Sequence, residues 1–485
     1  MNVRLLCPTV VSPLPAAEIR TEVPMNASTA DPTTALTAAL RRAIPADRVR
    51  TAGPGYESAR ALWNGAVTAR PRVIVHCLGP ADVQAGIRAA REAGVPLSVR
   101  GGGHGWTGSA LADGGLTLDL SGMRHVEVDP RSRTARVAGG ATAADVVGAA
   151  QAYGLVAAVG TVGTVGMAGL ALGGGYGPLS GRLGLAVDSV LSVDVVLADG
   201  SSVTADAEHE PELFWAVRGG GGNFGAVTGM RLRLHEIPAL LSGMVMYPAA
   251  QADSVLAGLA EHVPAGGPDE LTVQSGFVAG PNGTPVVFVA PTWCGEAAEG
   301  ERAMAPLSRL GDPLVAQFGP TTLAESLAGT DAMFPAGRHV EITTRTFAGL
   351  TPEIRGALAT GGSGLPSPLS ALSLHSLHGA ATRVPAADTA FGERAAHLMV
   401  EIVAVWEPDD PAPATHRSWA REVSRTLAPH ALPGGYANML PPDAADQAAH
   451  AYGANGARLL GAKRRFDPDA VFHAIPLPGP PRAAR

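Results

Sequence analysis

Three observations predict an α+β fold for this chain. A strand–helix–strand unit between Pro71 and Val99 delivers the loop Arg100-Gly101-Gly102-Gly103-His104. Two further glycine clusters follow, Val159–Gly177 and Trp215–Gly225, each interleaved with apolar residues. From about Leu240 to Pro429 the pattern changes to strand-like segments parted by helical ones, the form of an antiparallel sheet with helices on one face.

The elements follow in order. Residues 1–30 carry no apolar period and read as a disordered tail, and Met25 is an alternative start. The run Val3–Val11 is broken by proline and lacks a basic segment before a clean apolar one, so it makes a poor signal peptide, although secretion stays open. Asp31 opens a helix through Leu36 and Leu40 that ends near Pro45, and Trp63-Asn64-Gly65 lies in a loop. Pro71–Cys77 alternates and is rich in Val and Ile, which predicts a strand. Pro80 starts a helix with Val83, Ile87 and Ala90 on one face, stopped by Gly94 as a left-handed cap. Leu97–Val99 is the second strand of the unit.

The glycine loop after it has no side chains to keep a ligand from its backbone. Its N–H groups suit a pyrophosphate. A dinucleotide-binding fingerprint would follow the first strand and open a helix, so that fold is disfavoured. Leu116–Leu120 and Thr134–Ala138 are short strands, and Thr142 caps a helix through Val146 and Val147 to Gly154. The glycines of Val159–Gly177 predict backbone packed against a flat ligand, with a helix–helix contact as the alternative. Asp188–Ala198 and Ala226–Leu234 are strands on either side of the third cluster.

In the middle region, strands are expected at Thr272–Val278, Pro285–Ala290, Val340–Thr346 and Ala371–Leu377, with helices at Ala249–Val263 and Thr389–Val405. His375 and His378 are three residues apart, so a strand puts them on different faces, and His375 is the candidate to touch substrate. Arg338, His339 and Glu341 fit a solvated strand face better than a pocket rim.

The chain has 485 residues, 46% hydrophobic and 16% charged, which is enough for two or three domains. Its net charge of −7 and lack of a basic block argue against nucleic-acid or anionic-membrane partners. No apolar run is long enough to span a bilayer. Cys7, Cys77 and Cys294 are scattered and no histidines sit at ligand spacing, so neither a disulfide framework nor a metal site is expected, and a reducing cytoplasm fits.

Taken together, the motifs resemble the berberine-bridge-enzyme-like branch of the vanillyl-alcohol-oxidase/p-cresol-methylhydroxylase flavoproteins. They are Arg100-Gly-Gly-Gly-His104, Thr164-Val-Gly-Met-Ala-Gly-Leu-Ala-Leu-Gly-Gly-Gly-Tyr-Gly177, Arg218-Gly-Gly-Gly-Gly-Asn-Phe-Gly225, Tyr436-Ala-Asn438 and Asp467-Pro468…Phe472. Order and spacing match over roughly residues 35 to 475.

This resemblance implies a bipartite FAD-binding domain of the p-cresol-methylhydroxylase type, over residues 31–238 and 431–475. It implies an inserted substrate domain at 239–430, with residues 476–485 as a disordered tail. It implies cofactor contacts from Arg100, Gly101, Gly102, Gly103, His104, Gly105 and Gly108. Thr164, Val165, Gly166, Gly169, Gly174 and Gly175 supply the second set, and Gly225, Val227 and Asn438 complete it. His104 is expected to be bonded to the flavin 8α-methyl, which would raise the flavin's reduction potential. Many members add a cysteinyl link, but Val162 stands at the matching position, so a single tether is expected. Val165 stands at the position of an oxygen gate, where a small side chain leaves room for O₂.

Tyr436 is the expected catalytic base, with Tyr176 as a second phenol. A phenol titrates near ~10, so the base needs help from positive charge or hydrogen bonds. Tyr452, Asn455, Arg458 and Lys463 are expected on a helix that fastens the return segment to the FAD domain. The implied activity is oxidation of a hydroxylated or phenolic small molecule, with electrons passing through FAD to O₂ and peroxide released. The resemblance also implies a secondary-metabolic setting, which family members of this compositional type often have. A carbohydrate oxidase, a quinone-linked dehydrogenase and a metabolite-sequestering resistance protein are the alternatives. A monomer or a homodimer is expected.

Overall fold

The computed structural model describes residues 32–263 and 267–479. The expected N-terminal tail lies outside them, as do residues 480–485. Part of the expected C-terminal tail is instead packed. The Tyr452 hydroxyl donates to the Pro476 carbonyl at 2.7 Å, and Leu477 rests on the largest apolar core.

Three sheets organise the chain. The first is four-stranded, with β1 (Val49–Arg50), β2 (Val73–His76), β3 (Leu97–Arg100) and β4 (Leu116–Asp119) in the order β1-β2-β4-β3. β2 and β3 both run parallel to β4, which lies between them. Val73, Ile74 and Val75 are fully buried, as a strand covered on both faces requires. The helix Pro80–Ala93 joins β2 to β3, starts on proline and ends at Gly94 with φ 61°. The second sheet has β5 (Val126–Asp129), β6 (Thr134–Ala138), β7 (Val190–Val196), β8 (Ser202–Ala205) and β9 (Ala226–Arg233), ordered β5-β6-β9-β7-β8. Thr142 and Asp145 form a reciprocal capping box on the helix Ala143–Gln151.

The third sheet is antiparallel and seven-stranded. It contains β10 (Leu241–Pro248), β11 (Leu271–Ala279), β12 (Pro285–Trp293), β13 (Val315–Pro320), β14 (His339–Phe347), β15 (Ala371–Leu377) and β16 (His397–Trp406), ordered β13-β10-β12-β11-β15-β16-β14. The helix expected over Thr389–Val405 is therefore not formed. Its second half is β16, a central strand whose Val400, Ile402, Val403 and Val405 are all buried. Burial on both faces removes the alternation that marks a strand, and the β-branched side chains suit the pleat rather than a helix.

Period two divides this sheet's faces. Leu372, Leu374, Val400 and Ile402 pack with Val255, Leu358 and Val423 of the covering helices. The alternate residues Ser373, His375, Glu401 and Val403 point to the glycine loops, with Ser373 paired opposite Glu401.

The chain then returns to the first half. Arg458 pairs with Glu212 at 2.6 Å and lies over the Trp215 ring. Lys463 donates to the carbonyls of Asn223 and Phe472 and pairs with Asp467. Both lie on the helix Gly456–Phe466, whereas Tyr452 and Asn455 precede it. Asn455 bonds the carbonyls of Ala386 and Thr389, so it ties this segment to the inserted region. Among the described residues, no helix is long and apolar enough to cross a membrane.

Candidate active site

The first two glycine loops meet backbone to backbone. A Cβ on Gly102 would fall on the Gly166 nitrogen, and one on Gly166 would fall on the Gly102 nitrogen. Only glycine allows this approach. It brings the loop after β3 beside the N-terminus of the short helix Met167–Leu172.

His104 projects from the first loop. Its ring stacks on Trp63, with centroids 5.1 Å apart and planes 19° from parallel. Its Nε2 lies 2.9 Å from the Thr164 hydroxyl, which bonds the Asp331 carboxylate at 3.2 Å. Asp331 also accepts from the backbone nitrogens of Gly163 and Thr164. Burial lowers the imidazole pKa to about 4, against the opposing pull of Asp331.

A cavity of about 380 Å³ opens between the loops and the third sheet. One wall holds Gly101, Gly102, Gly103, His104, Gly105, Val165, Gly166, Gly169, Gly225, Val227 and Asn438. Nothing lies within 4 Å of where a Gly169 Cβ would stand, so a side chain there would enter the cavity. Such a wall fits a flat ring held against backbone. Val162 also faces this space.

Five sequence candidates lie off the wall. Arg100 is turned away, with its guanidinium on the Ala59 carbonyl and 4.0 Å from Asp119. Gly108 has φ 82° and backs onto Val67. Thr164 touches His104, and Gly174 and Gly175 lie behind the tyrosines.

The two phenols pack edge to face and both line the cavity, with centroids 5.0 Å apart. The Tyr436 oxygen accepts from the Gly175 N–H at 2.9 Å and from Asn438 Nδ2 at 3.1 Å. Burial outweighs both bonds and pushes its pKa up to about 12. Tyr176 is raised well above its ordinary value by burial and lies 2.8 Å from His397 Nε2. Of the two forms of help expected for a phenol, the structure shows the hydrogen bonds on Tyr436, while Arg394 is paired with Asp188 at 2.8 Å.

The opposite wall is the polar face of the sheet. His375 Nε2 lies 3.1 Å from Ser373 Oγ and 3.5 Å from Glu401 Oε2, and Gln274 bonds the same serine. His378 turns the other way, to the Leu271 carbonyl. Arg338 pairs with Glu407, and Glu341 with Arg417 and Arg421, away from the cavity.

Sequence reasoning missed Glu401, Gln274, Trp63, Trp106 and His397. The signal for Glu401 was present, since it is the lone acid in the apolar run His397–Trp406. Among the described residues, no three His, Cys, Asp or Glu are grouped to hold a metal.

Residues 71–206 match the FAD binding domain family, and residues 435–475 match the berberine and berberine-like family. The chain is 30% identical over 451 residues to the FAD-linked oxidoreductase aurO of Gibberella zeae, covering 90% of this chain and 86% of that protein. It is 39% identical over 206 residues to (R)-6-hydroxynicotine oxidase of Paenarthrobacter nicotinovorans, covering 42% of this chain and 44% of that one. The crystal structure of 6-hydroxy-D-nicotine oxidase from Arthrobacter nicotinovorans superposes with a TM-score of 0.80 at 29% identity, over 89% of this chain and 97% of that chain. The glycine wall, the two-part cofactor region and these likenesses converge: the chain belongs to the berberine-bridge-enzyme-like FAD-linked oxidoreductases of the p-cresol-methylhydroxylase type.

Proposed function

We propose that this enzyme is an FAD-dependent oxidase of a hydroxylated or phenolic small molecule. His104 carries the flavin through its 8α-methyl, and dioxygen takes the electrons to give hydrogen peroxide. One observation carries the reading: the glycine wall, His104, both tyrosines and the polar sheet face share one cavity. Bound FAD supplies the two-electron acceptor. Val162 cannot form a thioether, so the tether is single. Val165 leaves room for dioxygen beside the wall.

The tyrosine pair handles the substrate's hydroxyl proton. In this reading the bonds from Gly175 and Asn438 fix the Tyr436 oxygen beside Tyr176. His375 and Glu401 orient the substrate from the sheet side. Trp63, Trp106, Phe334, Ile342 and Met439 favour an aromatic body. A sugar is the second reading, favoured by the polar row Gln274, Ser373, His375 and Glu401. Cys77 and Cys294 are buried free thiols, which supports a reducing cytoplasm as the setting.

Peroxide release from a panel of phenolic compounds and oligosaccharides tests the reading. Stoichiometric peroxide with phenols supports it. Turnover confined to sugars replaces it with the second reading, and no peroxide from either removes the oxidase assignment.

A further inference from the structure

His397 plays no part in the cofactor wall, and the sequence motifs do not include it. It is buried behind Tyr176, at the start of β16. Its Nδ1 lies 2.8 Å from the Ala395 carbonyl, and its Nε2 lies 2.8 Å from the Tyr176 hydroxyl. A carbonyl only accepts, so Nδ1 carries the hydrogen. In the neutral ring Nε2 is then the acceptor, and the phenol must donate to it. Burial lowers the His397 pKa, which keeps the ring neutral near pH 7.

The direction of that bond matters for the cavity. With its hydrogen committed to His397, Tyr176 keeps its lone pairs for a donor on the cavity side. Tyr436 has the opposite arrangement, because its oxygen already accepts from Gly175 and Asn438.

We propose that Tyr176 and His397 form a proton relay, in which Tyr176 accepts the substrate's hydroxyl proton while passing its own to His397 Nε2. The relay rests on the oxidase reading above. The substrate O–H bond breaks, a new O–H forms on Tyr176, and the former phenol O–H becomes N–H on His397. Tyr176 ends neutral and His397 ends as imidazolium. Bound FAD would supply the acceptor for the substrate's hydride, so the substrate would lose one proton and one hydride in all. Tyr176 is the catalytic residue of the pair, and His397 is a positioning residue that acts through it.

The other titratable groups around the pair are Tyr436, Glu393, Arg394 and Glu401. Arg394 is neutralised by Asp188, and burial raises the Glu393 carboxyl. Neither acid is hydrogen-bonded to His397 among the described contacts, so the coupling should belong to the tyrosine and the imidazole alone.

The test uses the holoenzyme with 3-fluorotyrosine in place of its six tyrosines, read by fluorine NMR. The Tyr176 resonance is assigned as the one lost in Tyr176→Phe. Protonating His397 forces Nε2 to donate, which reverses the bond. The Tyr176 resonance should therefore step as pH falls below ~6.5, the ordinary histidine value. The step should vanish in His397→Gln, which still bonds but does not titrate, and persist in Glu393→Gln and Glu401→Gln. A flat wild-type titration overturns the relay without needing any His397 variant to fold. A step that survives His397→Gln, or that vanishes in either glutamine control, also overturns it. Silence across the peroxide panel removes the oxidase reading and with it the relay's substrate step, whereas the Tyr176–His397 coupling is read by pH alone without turnover, so the two failures are told apart.

Discussion

The Thr164 hydroxyl lies 2.9 Å from His104 Nε2 and is held from its other side by Asp331. That contact fixes the ring which the resemblance makes the flavin's tether. Wild-type protein precipitated with acid should give a yellow pellet, and the His104 peptide should carry the flavin mass. In His104→Ala all flavin should pass to the supernatant.

Val162 faces the same cavity. Val162→Cys should create a second attachment point. The double variant His104→Ala/Val162→Cys should then keep flavin in the acid pellet. Flavin released in full from that double variant would show that position 162 does not reach the ring.

Gly102 and Gly166 leave no room for a Cβ between the loops. Gly102→Ala must push two backbones apart, which costs about 1–3 kcal/mol in a packed site. The expected result is a lowered Tm together with lost flavin content. A variant with normal flavin content and an unchanged Tm would show that the loops can separate freely.

The tyrosines should divide by hydrogen-bond direction. Tyr176→Phe should lower the rate of flavin reduction by about 10²–10⁴-fold, the range for losing a positioned acid–base group. Tyr436→Phe should cost less, near tenfold, and both should stay yellow. Anaerobic stopped-flow at 450 nm with a substrate from the peroxide panel measures the ranking, and an inverted order would return the base to Tyr436.

His235 offers a pH prediction remote from the cavity. Burial lowers its pKa to about 4 from an ordinary 6.5, and its Nε2 lies 3.3 Å from Ser189 Oγ. A histidine whose folded pKa is depressed favours the neutral form in the native state. Its stabilising contribution is therefore complete above pH ~6.5 and is lost as pH falls towards about 4. The Tm should drop across that window, and the drop should be shallower in His235→Gln.

The cofactor side of the site was legible because its signal is compositional. A loop that must bring backbone against backbone excludes side chains, and Gly102 and Gly166 record that exclusion in the sequence. The substrate side was harder to read. β16 is apolar on both faces, so its period is hidden, and the expected helix over Thr389–Val405 obscured Glu401 and His397. β10 and β13 were missed for a related reason: Gly243 and Gly319 interrupt them where the two backbones pair. His375 was found because the alternation of β15 is visible, and His378 fell on the opposite side as the period required.

The cavity draws its walls from Trp63 and from Ile475 and Pro476, more than four hundred residues later. A ribosome would have to release residues 63 through 476 before this enclosure could close, and a product lacking Ile475 and Pro476 would be left without a complete compartment.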